Sequence, residues 1–453
     1  MTLPTIETLR ADLDAGRSSA RDLVEQALAN IADPAREGAR TFLRVYAEQA
    51  RAVADAQDRM RKAGVPLGPL AGIPVSVKDL FDVSGEVTTA GSRALADAPP
   101  AVRDCPVVAR LRAAGAVLIG RTNMTEFAFS GLGINPHYGT PGNPADRSRI
   151  PGGSSSGAAV SVADGQAAAG IGSDTGGSVR IPSALCGLTG FKPTQRRVPC
   201  DGAVPLSTTL DSIGPLARSV ADCALVDAVM AGEEPAAPLP VLPVAGLRLG
   251  VPQTLVLDGV DHTVGSAFER ACAVLSAAGA RVSAVPFREL AELPKINAKG
   301  GFATPEAYAW HEPLMAQRGA EYDPRVRSRI ERGRDVQAAD YINLIEARAR
   351  FIARSRTVTA EFDALVMPTV PVAAPTIAEC SADDAAYTRL NLLILRNPSV
   401  VNFLDGCALT LPIHRPGELP VGLMLVGETG ADHRLLAIGR AVEAALRSGA
   451  AAE

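Results

Sequence analysis

Short apolar runs that follow helical stretches constrain this chain more than any other feature. The run Gly72-Ile73-Pro74-Val75-Ser76-Val77 is apolar and β-branched, too short for a helix, and ends on Lys78. A helical stretch from Val107 to Ala114 leads through Gly115 into a second such run, Ala116-Val117-Leu118-Ile119. Strands without polar alternation need cover on both faces, and helices between them supply it, so the pattern predicts an α/β sheet covered on both sides. Leu247–Pro252 and Ala280–Pro286 read as further strands around a helix from Val264 to Ala277. Strand character resumes at Ala364–Met367, Ala408–Pro412 and Val421–Gly427, and a last helix is expected from His433 to Leu446.

Residues 1–65 read as amphipathic helices, with Ile6, Leu9 and Leu13 at helical spacing. The stretch from Pro305 to Phe362 is mostly helical and more polar, and Glu233 to Gly246 looks like a Pro/Ala-rich linker. With no internal repeat, one continuous α/β domain carrying a helical insertion at 296–360 is expected rather than independent domains. The 47% hydrophobic and 21% charged content is that of a globular protein.

Charge and cysteine usage exclude several functions. The net charge is −4 and no basic stripe faces a candidate phosphate path, which argues against nucleic-acid binding. The segment Arg325–Arg334 is basic but interleaved with acids, and reads as a solvated helix face. Seven scattered cysteines without CxxC spacing suit reduced, mostly buried thiols. No signal peptide is indicated, and no run nears the roughly eighteen apolar residues of a membrane span, so a cytoplasmic protein is expected. The five histidines form no ligand spacing, and neither a phosphate loop nor a dinucleotide fingerprint occurs. No metal or cofactor is implied.

Chemistry concentrates in three segments: GIPVSVKDLFDV (72–83), PGGSSSGAA (151–159) and GSDTGGSVRIPSALCGLTGFKP (172–193). The stretch from Gly131 to Gly190 is dense in Gly, Ser and Pro, yet apolar runs such as Ala158–Val162 rule out a flexible linker. A serine hydroxyl becomes a useful nucleophile only beside a base, and its reaction needs donors facing the developing oxyanion. The turn Asp174-Thr175-Gly176-Gly177-Ser178 can supply nucleophile and donors together, since glycines without Cβ let successive amides share one concavity. A lysine serves as base if it is neutral, and burial at the end of an apolar strand would make Lys78 so. Asp79 would face away from it.

The three segments resemble the amidase signature family, and the likeness is clearest from about Pro69 to Leu216. That resemblance implies a single α/β/α domain around a mixed, twisted sheet, and a Ser-cisSer-Lys triad. Ser178 would be the nucleophile, Ser154 the bridging serine after a cis Gly153–Ser154 bond, and Lys78 the base. The 24-residue separation of Ser154 and Ser178 fits the family pattern. Thr175, Gly176, Gly177 and Ser178 would give the oxyanion-hole amides. Ser156 stands where many members have glycine, and either joins the lysine network or caps the following helix; Asp174 and Arg180 would form an ion pair bracing the loop.

The function implied is hydrolysis of a carbon–nitrogen acyl bond other than a peptide bond: an amide, anilide, carbamate or urea-type group on a small molecule. The enzyme would act as a monomer or homodimer. The alternative is the glutaminase component of a tRNA-dependent amidotransferase. A GxSxG reading with Ser155 as nucleophile lacks the preceding strand it requires. Phe127, Phe129, Tyr138 and Ser155 are candidates for the substrate pocket, and Phe302, Tyr308 and Trp310 would line the pocket or form lid core.

Overall fold

The computed structural model describes residues 3–233 and 239–452, so part of the expected linker lies outside the described residues. Eleven strands form one sheet: β1 (Phe42–Val45), β2 (Pro74–Lys78), β3 (Val117–Thr122), β4 (Ala169–Asp174), β5 (Thr189–Lys192), β6 (Ser212–Ala217), β7 (Arg248–Pro252), β8 (Arg281–Val285), β9 (Ala364–Pro368), β10 (Cys407–Pro412) and β11 (Gly422–Gly427). Their spatial order is β1-β3-β2-β4-β6-β5-β10-β11-β9-β7-β8. The sheet is mixed: β2 pairs in parallel with β3 and β4, and β7 with β8 and β9, while the central strands run antiparallel.

Alternation along the central strands shows cover on both faces. Cys407, Leu409 and Leu411 of β10 join Leu423 and Leu425 of β11 in one apolar cluster. Ala408, Met424 and Val426 join a different one. A period of two sends neighbouring side chains to opposite sides, so both sides are core. This is the covered sheet that the apolar runs predict.

Helices expected at the N-terminus occur at Ile6–Asp14, Ala20–Ala32 and Ala47–Lys62, and the last helix spans Asp432–Ala452. Strands β1, β4, β5 and β6 are additions to the sequence reading. The β4 sequence AGIGSD carries almost none of the β-branched side chains that mark a strand, because the helix Ser156–Ala163 lies against it. A Cβ at Gly170 would sit 2.8 Å from the Ala158 carbonyl oxygen, and one at Gly172 would sit 2.6 Å from Ser155 Oγ. The glycines record a close approach rather than a loop. Among the described residues, no helix is long and apolar enough to cross a membrane.

Candidate active site

Parallel pairing of β2 and β4, with Val77 opposite Ile171, brings the C-terminal ends of both strands to one edge of the sheet. Strand ends of this kind are where α/β sheets place ligands. Lys78 ends β2, while Ser173 and Asp174 end β4. The fully buried Lys78 amine donates to Ser154 Oγ at 2.7 Å and to Ser173 Oγ at 2.8 Å. Burial lowers its pKa from 10.5 to about 7, against the pull of the Asp211 and Asp174 charges. The Gly153–Ser154 bond is cis. Asp79 turns aside to pair with Arg121 at 2.7 Å.

Asp174 organises the turn that follows. Its carboxylate accepts from the Gly177 and Val179 amides, from Asn402 Nδ2, and from Arg180 Nη2 at 2.8 Å, with both ionic partners buried. Burial works against the Asp174 charge, but Arg180 outweighs it, with help from Lys192 and Asn402, and holds the carboxyl below the usual carboxylate range. Gly177 adopts φ +131°, and a Cβ there would come within 2.6 Å of Ile181 and Pro398, so no larger residue fits. The Gly177 amide is taken by Asp174 at 2.9 Å, and only the amides of Thr175, Gly176 and Ser178 are without such an internal acceptor among the described residues.

Thr175, Gly176 and Ser178 line a cavity of about 900 Å³, large enough for a small organic substrate. No hydrogen bond engages the Ser178 hydroxyl among the described residues. Leu293, Pro294, residues 297–304, Arg332, Asp335 and Val336 also line the cavity. The helix Asp384–Leu404 closes the remaining wall with Leu395, Ser399 and Phe403.

Asp211 and Glu306 carry signals that the sequence reading missed. Asp211 accepts the Thr175 hydroxyl and the amides of Leu206 and Ser207, and burial raises it to about 6 despite those bonds. Glu306, from the insertion, accepts Ser207 Oγ, Thr209 Oγ1 and Tyr341 Oη, clamping the insertion onto the same loop. TTLD, a run of small hydroxylated residues before an acid, is the only sequence trace of this arrangement.

The expected pocket residues divide. Phe129 lines the cavity. Phe127 does not: its φ of +49° turns the ring beneath the insertion, edge-on to His311 at 4.3 Å and near Tyr322. Tyr138 does not either, since its hydroxyl reaches back to the Ser92 carbonyl at 3.4 Å. Ser155 is buried beneath the cavity wall, with Oγ on the Ser173 carbonyl. Ser156 begins the helix, yet its Oγ has no partner among the described residues and neither caps nor joins the lysine. Of the insertion aromatics, Phe302 lines the cavity, whereas Tyr308 and Trp310 do not. The segment Arg325–Arg334 also departs from a purely solvated face: Arg329 turns inward and lines the cavity.

The amidase family model matches residues 22–436. A 2-amino-5-chloromuconic acid deaminase from Comamonas testosteroni is 38% identical across 88% of this chain and 87% of its own length. A glutamyl-tRNA(Gln) amidotransferase subunit from Chloroflexus aggregans is 36% identical over 97% of this chain and 96% of its own. A crystal structure of an amidase superposes with a TM-score of 0.87 at 33% identity, covering 97% of this chain and 99% of that one.

Proposed function

The chain belongs to the amidase family, whose members here are hydrolases of carbon–nitrogen bonds, and on that premise we propose that Ser178, Ser154 and Lys78 carry the reaction as nucleophile, proton relay and base. The observation that carries this reading is the Lys78 amine, buried, poised near neutrality and 2.7 Å from Ser154 Oγ. Neutral Lys78 takes a proton through Ser154 as Ser178 Oγ bonds to the acyl carbon. The amides of Thr175, Gly176 and Ser178 meet the oxyanion that forms. Collapse breaks the carbon–nitrogen bond, and the proton returns through Ser154 to the leaving amine. Water then attacks the acyl-enzyme by the same relay, releasing a carboxylic acid. Substrates are small amides or carbamates, and the chain acts alone, as a monomer or homodimer.

Ser178→Ala tests this directly. Turnover should fall by about 10³-fold or more while the folded signal is kept. The Ser155→Ala control should retain turnover; its complete loss, with Ser178→Ala still active, would move the nucleophile to Ser155. A second reading is favoured by the amidotransferase relative, which matches 97% of this chain: a glutaminase component whose ammonia passes to partners.

A further inference from the structure

Resting on that hydrolase reading, we propose that the adjacent residues Asp211 and Ser212 are positioning residues, which between them hold the Thr175 amide at the point where the oxyanion forms.

Strand β6 opens on Ser212, opposite Asp174 at the end of β4, so the register sets Asp211 and Ser212 beside the start of the serine turn. A trans peptide points its carbonyl and its N–H in opposite directions, and the Thr175 N–H shares a trans plane with the Asp174 carbonyl. The buried Ser212 Oγ donates to that carbonyl at 3.0 Å, and Asn402 Nδ2 reaches it at 3.3 Å. With the carbonyl end held by the protein, the N–H end faces the other way, and Thr175 lines the cavity beside Ser178. The Thr175 side chain is anchored as well, since its hydroxyl donates to Asp211 Oδ1. A β-branched side chain has few rotamers to begin with, so fixing its oxygen fixes the residue that carries the amide.

The loop before β6 needs only part of this arrangement. Asp211 Oδ2 accepts the Leu206 and Ser207 amides at 2.9 and 3.0 Å, which closes the loop by itself. Its other oxygen reaches Thr175, 36 positions earlier in the chain, and does nothing for the loop. Among the described residues no cation pairs with Asp211, and burial raises its pKa to about 6. A carboxylate desolvated without a cationic partner is costly, and costs of this kind gather where a fold serves a reaction. Once ionised, it is also a stronger acceptor for the Thr175 hydroxyl than any neutral group would be. Glu306 grips the far side of the same loop through Ser207 Oγ and the Thr209 amide, which keeps Asp211 in place from the insertion side.

The test uses the purified full chain, with pentanamide and 4-nitrophenyl butyrate as substrates and an alkyl trifluoromethyl ketone as inhibitor. Ser178 Oγ adds to the ketone carbon, its proton passes to Ser154 and Lys78, and the alkoxide left behind takes the place of the oxyanion. Its Ki therefore reads the donors directly. Rates are taken on the alkaline plateau, where Lys78 is neutral and Asp211 ionised. Thr175→Val keeps the shape and the amide but removes the hydroxyl. It should lower kcat about tenfold, less than outright loss of a donor costs, with KM within about twofold and Ki weakened in step. Ser212→Ala should act the same way to a smaller extent, because Asn402 still holds the carbonyl. Asp211→Asn should cost at least as much as Thr175→Val, and adding Thr175→Val to it should cost less than about twofold more, since both break one contact. Thr175→Ser returns a hydroxyl and should recover most of the loss. Ki does not depend on the amount of folded enzyme, so partial unfolding cannot mimic the effect. If Asp211→Asn cannot be purified, Thr175→Val and Ser212→Ala decide. Unchanged kcat and Ki in Thr175→Val, a loss confined to KM, or losses that multiply in the double variant overturn the proposal. Turnover abolished in Ser178→Ala yet unaltered in these variants would leave the hydrolase reading standing. No turnover of either substrate by the wild type would overturn both.

Discussion

A lysine amine can act as a base near neutral pH only if its charged form is made costly, and Lys78 meets that condition by position alone. It ends a strand whose five residues are all buried, and its hydrogen-bond partners are two serine hydroxyls rather than a carboxylate. Burial lowers its pKa to about 7, while Asp211 and Asp174 pull the other way. The active form is the neutral amine, so kcat/KM should be low below that pKa, rise through it as one proton is lost, and level off in mildly alkaline solution. Asp211 titrates near 6, so its charge appears on the same limb and moves the apparent value upward slightly, whereas Asp174 stays ionised throughout. Lys78→Ala should remove the limb with most of the rate, and Lys78→Arg should fail to restore it because guanidinium does not deprotonate. A pH series of initial rates on the three proteins checks this. An unchanged acid limb in Lys78→Ala would place the base elsewhere.

At the scale of elements, the turn from β4 into the helix Arg180–Leu185 depends on one buried ion pair. Asp174 fixes the Gly177 and Val179 amides while Arg180 reaches across to the Pro398 carbonyl and Asn402, tying the turn to the helix Asp384–Leu404. Removing one charge leaves the other buried without its partner, which costs about 3–5 kcal/mol in comparable cases. Arg180→Met should therefore lower stability by that order, and Asp174→Asn in the same chain should recover part of it. Urea unfolding of the single and double variants measures the difference, and equal midpoints for wild type and Arg180→Met would refute it. This pair was legible in the sequence because both residues flank the DTGGS turn. Strand β4 was not, because its glycines answer to the neighbouring helix rather than to strand propensity. Ser156 shows the same limit. A serine at a helix start suggests a cap, but the N-cap position falls on Ser155, and Ser156 Oγ finds no partner among the described residues.

At the scale of the whole molecule, what the sequence concealed is non-local. The apolar runs identified most strands, yet nothing near Thr189–Lys192 says that β5 will pair with β10, more than two hundred residues later. That pairing brings the helix Asp384–Leu404 over the serine turn, and Glu306 ties the insertion to Ser207 and Thr209. Phe127 and Phe129 illustrate the consequence: two residues apart in one loop, one faces the substrate cavity and the other the insertion core, a choice made by a positive φ that sequence does not display. The same topology bears on partner dependence. Every residue proposed for the reaction sits at the end of a strand of the single sheet or on the turns that follow. If the chain acts alone, as proposed above, it should hydrolyse a small amide at a rate proportional to its own concentration across about a hundredfold dilution. A glutaminase component of a larger assembly would behave differently, staying nearly inert on simple amides and gaining glutamine hydrolysis only with its partners. Rates of the isolated chain on pentanamide, glutaramic acid and glutamine, measured over that dilution range, separate the two. Activity that vanishes on dilution, or that appears for glutamine only when amidotransferase partner proteins are added, would show that the chain does not work alone.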